Sequence, residues 1–379
     1  MSTKKSKNKL SLAWVEIDLK ALRGNLRAIK KFVNNPSVGV LAVVKADAYG
    51  HGMPGVSRAL WEEGVRFFGV ANIEEAMELR QAFPQVRILV LGSFHPSQLP
   101  LYIRGKITPT LSSIEDAIIL NRALKGKKTA AVHVKIDTGM GRLGLPYRET
   151  EDFFKKTKQL SHLVIEGVYT HFSSADSDDA KPTRRQLVLF SACLGKIKKL
   201  GLRPKFIHAS NSAAIFHFKE AHFNLLRPGL ALYGLKPSPH VRLPAGTRPV
   251  LSWKTRISFL KKFSKGQTVS YGRTHRILKN TLIAALPVGY SHGYRTAFSN
   301  RASVLVRGRL CPVVGRVTMD QLLVDVGQVP GVKRWEEAVL IGTQGRKTVA
   351  AGELAALAGT IPYEIVCAIH SRVPRIYKN

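Results

Sequence analysis

The sequence has few cysteines and no long apolar run, and each lack excludes a class of protein. The three cysteines, Cys193, Cys311 and Cys367, lie far apart and show no CxxC spacing. This pattern argues against a disulfide framework or a zinc cluster and is typical of a reducing compartment. Because no eighteen consecutive residues are apolar, we expect no membrane span.

The chain begins with the basic stretch MSTKKSKNKL, which could open a secretory signal peptide. Glu16 and Asp18 fall where the uninterrupted apolar part of such a signal would have to lie. We therefore expect a short solvated tail over the first ten residues and a cytoplasmic protein.

Acidic residues are scarce. The chain has 59 Lys+Arg against 25 Asp+Glu, a net charge of +34. Such a charge attracts anions of every kind. A nucleic-acid-binding protein concentrates its basic residues on one stripe or helix, whereas these are spread along the whole chain. We expect no nucleic-acid partner and keep nucleic-acid binding as a minor alternative.

At 379 residues the chain is expected to form two domains. Between residues 13 and 235, short apolar runs alternate with helical stretches such as Ile73–Ala82, Ile114–Ala123 and Thr183–Leu200. The eight apolar runs are Gly39–Val44, Phe67–Ala71, Ile88–Leu91, Ile107–Leu111, Ala130–Ile136, Leu163–Thr170, Lys205–His208 and Asn224–Leu226. Most are continuously apolar, as in parallel strands that are buried on both faces. Eight strand–helix repeats predict a (β/α)8 TIM barrel over residues 1–240, with a doubly wound open sheet as the alternative.

Residues 236–249 contain four prolines and indicate a linker. Short β-rich runs follow, separated by glycine, proline and asparagine, and two helical segments end the chain. The runs are Leu251–Leu260, Thr281–Leu286, Ser303–Val306, Leu322–Val326 and Val339–Ile341, and the helical segments are Ala350–Ala358 and Tyr363–His370. This pattern predicts a second, mostly antiparallel β domain over residues 241–379.

In a TIM barrel the chemistry lies at the carboxyl ends of the strands. Lys45 comes directly after the first apolar run. Partial desolvation there would lower the pKa of its amine, and a neutral amine can condense with an aldehyde. Taken alone, Lys45 could equally be a solvated strand end.

Other strand ends carry further candidates. They are Lys135 and Arg142 after the fifth run, His171 after the sixth, Ser212 after the seventh, and Arg227, Gly229 and Leu230 after the eighth. Hydroxyl groups and glycine backbone at helix starts can cradle a phosphate. Each of these residues is also an ordinary turn or capping residue when considered separately.

The most specific segments are AVVKADAYGHG, KIDTGMGRLG, VSYGRTH, LPVGYSHGY and VTMDQ. In this order and spacing, the chain resembles the bacterial alanine racemase family over nearly its whole length. The resemblance implies a barrel that binds pyridoxal 5′-phosphate (PLP), a C-terminal β domain, and no metal. It also implies a homodimer, in which each C-terminal domain completes the partner's active site. The implied activity interconverts L-alanine and D-alanine and supplies D-alanine for peptidoglycan.

The resemblance assigns cofactor roles to several residues. Lys45 matches the lysine that binds PLP covalently. The residues that match the phosphate cradle are Tyr49, Ser212, Gly229, Leu230 and Tyr363. Arg227 matches the arginine that faces the pyridine nitrogen, and His171 matches the histidine that hydrogen-bonds this arginine.

Other residues match the groups that handle the substrate. Arg142 matches the arginine near the substrate carboxylate, and Lys135 a neighbouring lysine that the family often carries as a carbamate. Tyr271 matches the second catalytic base. Met319 matches a carboxylate contact, and Tyr290, with Tyr363, matches the narrow entry. The chain departs from the family's usual pattern at Thr318 and His275.

Racemisation removes the α-proton on one face and returns a proton on the other, which predicts two bases. Lys45 and Tyr271 are the candidates, with Tyr271 activated by a cation such as Arg142. Arg227 can only donate hydrogen bonds. It therefore leaves the pyridine nitrogen neutral, and we expect fewer side reactions such as transamination.

Three rival functions remain at this stage. A decarboxylase of the same architecture would place a glutamate where Arg227 stands. A non-catalytic PLP carrier would lack both the β domain and Tyr271. A serine or broad-specificity racemase shares much of the motif set and stays open.

Overall fold

A computed structural model describes residues 11–126 and 129–379. The predicted basic tail lies in residues 1–10, outside the described residues. Within the described parts of the chain, no helix is both long and apolar enough to cross a bilayer.

Residues 11–126 and 129–240 contain ten strands. In chain order they are β1 (Ala13–Asp18), β2 (Gly39–Val43), β3 (Phe67–Val70), β4 (Arg87–Val90), β5 (Thr110–Leu111), β6 (Ala130–Asp137), β7 (Leu145–Pro146), β8 (Leu163–Tyr169), β9 (Phe206–His208) and β10 (Leu225–Leu226). Strands β2 to β6 and β8 to β10 are the eight predicted barrel strands, and the short β7 pairs with β6.

The eight strands close into a ring. The last strand, β10, pairs in parallel with the first, β2, so that Leu225 lies opposite Gly39. The backbone N–H of Asn224 donates to Ile207 at 3.3 Å, which joins β9 to β10. A parallel bridge between Leu89 and Thr108 joins β4 to β5. This closure confirms the TIM barrel and excludes the open sheet.

The helices of the described residues surround the barrel and end the chain. They are α1 (Leu19–Val33), α2 (Met53–Glu62), α3 (Ile73–Ala82), α4 (Leu99–Gly105), α5 (Ile114–Ala123), α6 (Thr150–Thr157), α7 (Lys181–Lys199), α8 (Ser212–His217), α9 (Ala351–Leu357) and α10 (Pro362–Cys367). Side-chain caps fix where α3 and α5 begin: Asn72 and Ser113 accept hydrogen bonds from backbone N–H groups of the first turn. Both helices have the bounds predicted from the sequence.

The C-terminal domain is built from β strands, as predicted. They are β11 (Leu251–Arg256), β12 (Phe259–Phe263), β13 (Thr268–Val269), β14 (His275–Arg276), β15 (Thr281–Leu286), β16 (Ser303–Val306), β17 (Arg309–Pro312), β18 (Leu322–Asp325), β19 (Glu337–Gln344), β20 (Lys347–Val349) and β21 (Arg375–Lys378). The main sheet has the order β17-β16-β19-β11-β1-β21, with β20 paired to β19, and a smaller sheet has the order β12-β15-β18.

The predicted strand Leu251–Leu260 is in fact two strands in two sheets. β11 pairs with β19 in the main sheet, whereas β12 pairs with β15 in the smaller one. The chain changes sheets at Ile257 and Ser258, whose N–H groups donate to Glu336 and Ala285. A β-rich run in the sequence does not indicate a change of partner strand, so the prediction of one continuous strand was wrong here.

The first strand lies in the sheet of the C-terminal domain, although the division at residue 240 groups it with the barrel. β1 pairs antiparallel with β11 and parallel with β21. Val15 and Ile17 on β1 are completely buried. The strand therefore links the N-terminal end of the barrel domain to the sheet of the C-terminal domain. One apolar core contains buried residues of both domains.

Candidate active site

A cavity of about 500 Å³ lies at the carboxyl ends of the barrel strands. Ten of the residues selected from the sequence line it. They are Lys45, Tyr49, Lys135, Arg142, His171, Ser212, Arg227, Gly229, Leu230 and Tyr363. The structure thus brings together side chains that are separated by more than three hundred positions in the sequence.

Lys45 opens a left-handed turn, Lys45–Gly50, directly after β2. Ala46 to Tyr49 all have φ between 52° and 55°. L-residues avoid this conformation, which costs about 1–2 kcal/mol for each residue. The turn therefore persists only because other groups hold it in place.

Three side chains hold this turn. Glu75 on α3 accepts hydrogen bonds from the N–H groups of Ala46 (2.6 Å) and Ala71 (2.8 Å) through its two carboxylate oxygens. Asp47 accepts from the N–H of Met53 at 2.6 Å. Nδ1 of His51 donates to the backbone carbonyls of the turn at 2.8 and 3.0 Å. None of Glu75, Asp47 and His51 was predicted as a site residue, although Asp47 and His51 lie inside the motif AVVKADAYGHG.

The two cavity lysines both have lowered pKa values. Burial is the main cause for Lys45, with a further lowering by the Arg142 guanidinium and an opposing contribution from Glu75. For Lys135, burial and then the cations Arg142 and Arg227 lower the pKa to about 8. Because a lowered pKa increases the neutral fraction of an amine, both lysines have some nucleophilic character.

The hydroxyl groups of Ser212, Tyr49 and Tyr363 line another part of the cavity. Ser212 Oγ, at the start of α8, accepts from the backbone N–H groups of Gly229 (2.9 Å) and Ala231 (3.2 Å). A Cβ on Gly229 would lie 2.6 Å from the Tyr49 hydroxyl, so only glycine permits this approach. Burial raises the pKa of Tyr49 and raises that of Tyr363 to about 12, and both phenols are therefore neutral donors.

Arg227 lies between the barrel strands with 4% of its surface exposed. Its Nη1 donates to His208 Nδ1 at 2.9 Å, and its Nη2 donates to the carbonyls of Thr170 (2.8 Å) and Ala209 (2.9 Å). Its Nη2 also lies 3.3 Å from Nδ1 of His171, the partner predicted from the resemblance. Burial lowers the pKa of Arg227 to about 10, which leaves it charged at neutral pH. The shorter contact, with His208, was not selected from the sequence.

Tyr271, Tyr290 and Met319 do not lie at this cavity. They line a separate cleft on the C-terminal domain and are 73%, 46% and 54% exposed. Tight backbone packing shapes the cleft, since a Cβ on Gly289 would lie 2.1 Å from the Thr318 carbonyl oxygen. Within the described residues, no side chain lines both the barrel cavity and this cleft.

The residues of the barrel cavity fit PLP. Lys45 offers an amine of lowered pKa, and the donors around Ser212 and Gly229 suit a phosphate. Arg227 offers N–H donors for the pyridine nitrogen. The fold and this donor set together define a PLP-dependent enzyme.

Comparisons with known proteins identify the family. The model of the alanine racemase N-terminal domain matches residues 17–237, and that of the C-terminal domain matches residues 250–377. An alanine racemase of Halothermothrix orenii is 46% identical over 367 residues, which cover 97% of each chain.

Solved structures agree with this result. Alanine racemase from Bacillus anthracis with bound L-Ala-P has a TM-score of 0.91 at 37% identity, over 97% of this chain and 95% of that one. Alanine racemase from Bartonella henselae with covalently bound pyridoxal phosphate has a TM-score of 0.87 at 28% identity, over 97% and 100%. The chain belongs to the alanine racemase family and is a PLP-dependent racemase.

Proposed function

We propose that the protein interconverts L-alanine and D-alanine with Lys45 and Tyr271 as the two bases. The observation that carries this proposal is the cavity that combines the Lys45 amine, the phosphate cradle and Arg227. When bound, PLP supplies an electron sink for the carbanion that proton removal leaves at the α-carbon. The chain's own residues bind the substrate, orient it and move its proton.

Lys45 is proposed as the base on the D face. Its burial and the neighbouring Arg142 favour the neutral amine that a base requires. The turn that Glu75, Asp47 and His51 hold fixes the backbone from which this amine projects. A base fixed in this way typically contributes on the order of 10²–10⁴-fold to the rate.

Tyr271 is proposed as the base on the L face, supplied by a second copy of the chain. It is 73% exposed and shares its cleft with Tyr290 and Met319. A catalytic tyrosine in an open cleft needs a partner surface to exclude water from it. We therefore propose a homodimer, in which the domain of residues 241–379 covers the barrel cavity in residues 1–240 of its partner.

Arg142 is proposed to bind the substrate carboxylate, with Lys135 beside it as the residue that orients it. Charges of the same sign lie close together here, since Arg142 and Arg227 both lower the pKa of Lys135. A carbamate on Lys135 would turn this repulsion into attraction and would orient Arg142. Met319 of the partner is proposed as a further carboxylate contact, and Tyr290 with Tyr363 as the narrow entry.

The proposed location is the cytoplasm, where the product D-alanine would enter peptidoglycan synthesis. The three cysteines are unpaired, which suits a reducing compartment.

The direct experiment is a steady-state panel of D- and L-amino acids with the PLP-loaded protein. We expect alanine to have the highest kcat/KM in both directions and serine to be slower. Comparable kcat/KM for serine would indicate the broader racemase instead. Carbon dioxide release without inversion would indicate a decarboxylase and would contradict the proposal.

A further inference from the structure

A row of three hydrogen-bonded side chains runs from the cavity into the barrel. Nη1 of Arg227 lies 2.9 Å from Nδ1 of His208, and Nε2 of His208 lies 2.8 Å from Nδ1 of His133. The exposure of Arg227 is 4%, and that of each histidine is 0%. Because solvent is excluded, the donors and acceptors of this row depend on one another for partners.

The charge of Arg227 fixes the proton positions along the row. A guanidinium donates and never accepts, so Nδ1 of His208 is the acceptor. A neutral His208 then carries its proton on Nε2 and donates it to Nδ1 of His133. His133 must in turn carry its own proton on Nε2. If His133 donated instead, His208 would hold no proton at all.

Both rings are neutral in this arrangement. Burial first, and then Arg87 and Arg227, lower the pKa of His133 to about 3. Burial, Arg227 and His133 lower the pKa of His208 well below its ordinary value. The nearby carboxylate of Glu166 lies 3.9 Å from Nε2 of His133 and is paired with Arg87 at 2.8 Å instead.

The strands and side chains next to His133 leave space for its ring in one position. A Cβ on Gly167, on the neighbouring strand β8, would lie 2.4 Å from Nδ1 of this ring. The register between β6 and β8 shifts at Val132 and His133. Phe206 stacks on the ring with the two centroids 5.8 Å apart. The ring is therefore held in one place with Nδ1 towards His208.

We infer that His133 is a positioning residue for Arg227. By accepting the Nε2 proton of His208, it keeps the Nδ1 lone pair of His208 directed at the guanidinium. Arg227 is thereby held where, on the proposed function, it faces the pyridine nitrogen. Only this last step rests on the proposed function, since the proton positions follow from the charge of Arg227.

Two substitutions of His133 form a matched test. His133→Asn places an amide oxygen near the position of Nδ1 and can accept the same hydrogen bond, whereas His133→Leu is of similar size and cannot. In the leucine variant we expect kcat to fall roughly tenfold, as is typical when an outer hydrogen-bond partner is lost. The KM for alanine should change little, and transamination should rise relative to racemisation. The asparagine variant should stay near wild type.

Gly167→Ala provides an independent variant. The added methyl group would displace the His133 ring without removing it. We expect this variant to behave like His133→Leu. Equal rates in His133→Asn and His133→Leu, with both variants folded, would overturn the inference.

Long-range ¹⁵N NMR of protein labelled at histidine shows directly which ring nitrogen carries the proton. The spectra are recorded with and without PLP. The signals of His208 are identified by their loss in His208→Asn, and those of His133 by their loss in His133→Asn. We expect both rings to be neutral with the proton on Nε2. A proton on Nδ1 of His208, or an imidazolium there, would overturn the inference even if the leucine variant did not fold. Lack of racemase activity would contradict the proposed function but would leave these signals unchanged.

Discussion

At the scale of single residues, like charges dominate the cavity. Lys45, Lys135, Arg142 and Arg227 all line it. Arg142 helps to lower the pKa of both lysines, and Arg227 helps to lower that of Lys135. The repulsion is useful because it increases the neutral, nucleophilic fraction of each amine.

Lys135 should take up carbon dioxide as a carbamate. The neutral amine is the form that reacts, and its fraction grows as the pH rises through about 8. The fraction of Lys135 that carries a carbamate should therefore increase with pH over that range. A ¹³C NMR carbamate signal from labelled bicarbonate measures it, with Lys135→Ala as the control. A signal that persists in Lys135→Ala, or no signal at any pH, would refute the prediction.

Tyr271→Phe should slow racemisation, and it should slow removal of the α-proton from L-alanine far more than removal from D-alanine. Loss of one base typically costs on the order of 10²–10⁴-fold. Exchange of the α-proton of D-alanine, through Lys45, should survive, and that of L-alanine should nearly stop. Proton NMR in D₂O follows both rates. Tyr290→Phe, in the same cleft, is the control and should slow both equally. Equal losses in Tyr271→Phe would exclude the two-base assignment.

The sequence predicted the cavity residues to which the family resemblance assigns a role, but it missed residues that hold them in place through long-range contacts. His208 and His133 are 75 residues apart, and Glu75 binds Ala46 from 29 positions away. No local pattern indicates that such residues meet. The resemblance, in contrast, already implied that Tyr271 and Lys45 lie apart in one chain, and the two residues line different cavities.

At the scale of elements, the left-handed turn Lys45–Gly50 contrasts with the barrel around it. The barrel strands follow from their apolar runs, and α3 and α5 begin at their caps. The turn goes against backbone preference at four successive non-glycine residues. Its residues KADAYG lie inside the recognised motif AVVKADAYGHG, but their φ angles could not be inferred from residue type.

Glycine should stabilise the turn. In Ala46→Gly the N–H that binds Glu75 is kept, and the strain of a positive φ is relieved by about 1 kcal/mol. The matched control, Ala28→Gly within the right-handed α1, should destabilise by about 0.5–1 kcal/mol. Urea unfolding at one protein concentration gives both values. Destabilisation of similar size in both variants would show that the turn is not strained.

At the scale of the whole molecule, the chain carries two separate clefts, and on the proposed function each supplies part of an active site. The barrel cavity has the cofactor cradle, and the cleft on the C-terminal domain has Tyr271. The N-terminal strand β1 lies within the sheet of that domain, which fixes the two sites relative to each other. Two copies related by a two-fold axis can therefore complete two sites at once.

Mixing two inactive variants tests this arrangement. Lys45→Ala and Tyr271→Ala should each be nearly inactive alone. After co-expression, mixed dimers should have one intact site each. In an equal mixture half of the dimers are mixed, and each mixed dimer has one of its two sites intact. About a quarter of the wild-type activity should therefore return. No recovery, despite mixed dimers shown by differential tags, would mean that each site uses both residues of one chain.

The central claim is that the Lys45 amine is the covalent attachment point of PLP. Borohydride reduction of the PLP-loaded protein followed by peptide mass mapping tests it most directly. We expect one pyridoxyl adduct, on Lys45, that is lost in Lys45→Ala and retained in Lys135→Ala. An adduct on Lys135 or another lysine, or no adduct in the wild type, would contradict the account.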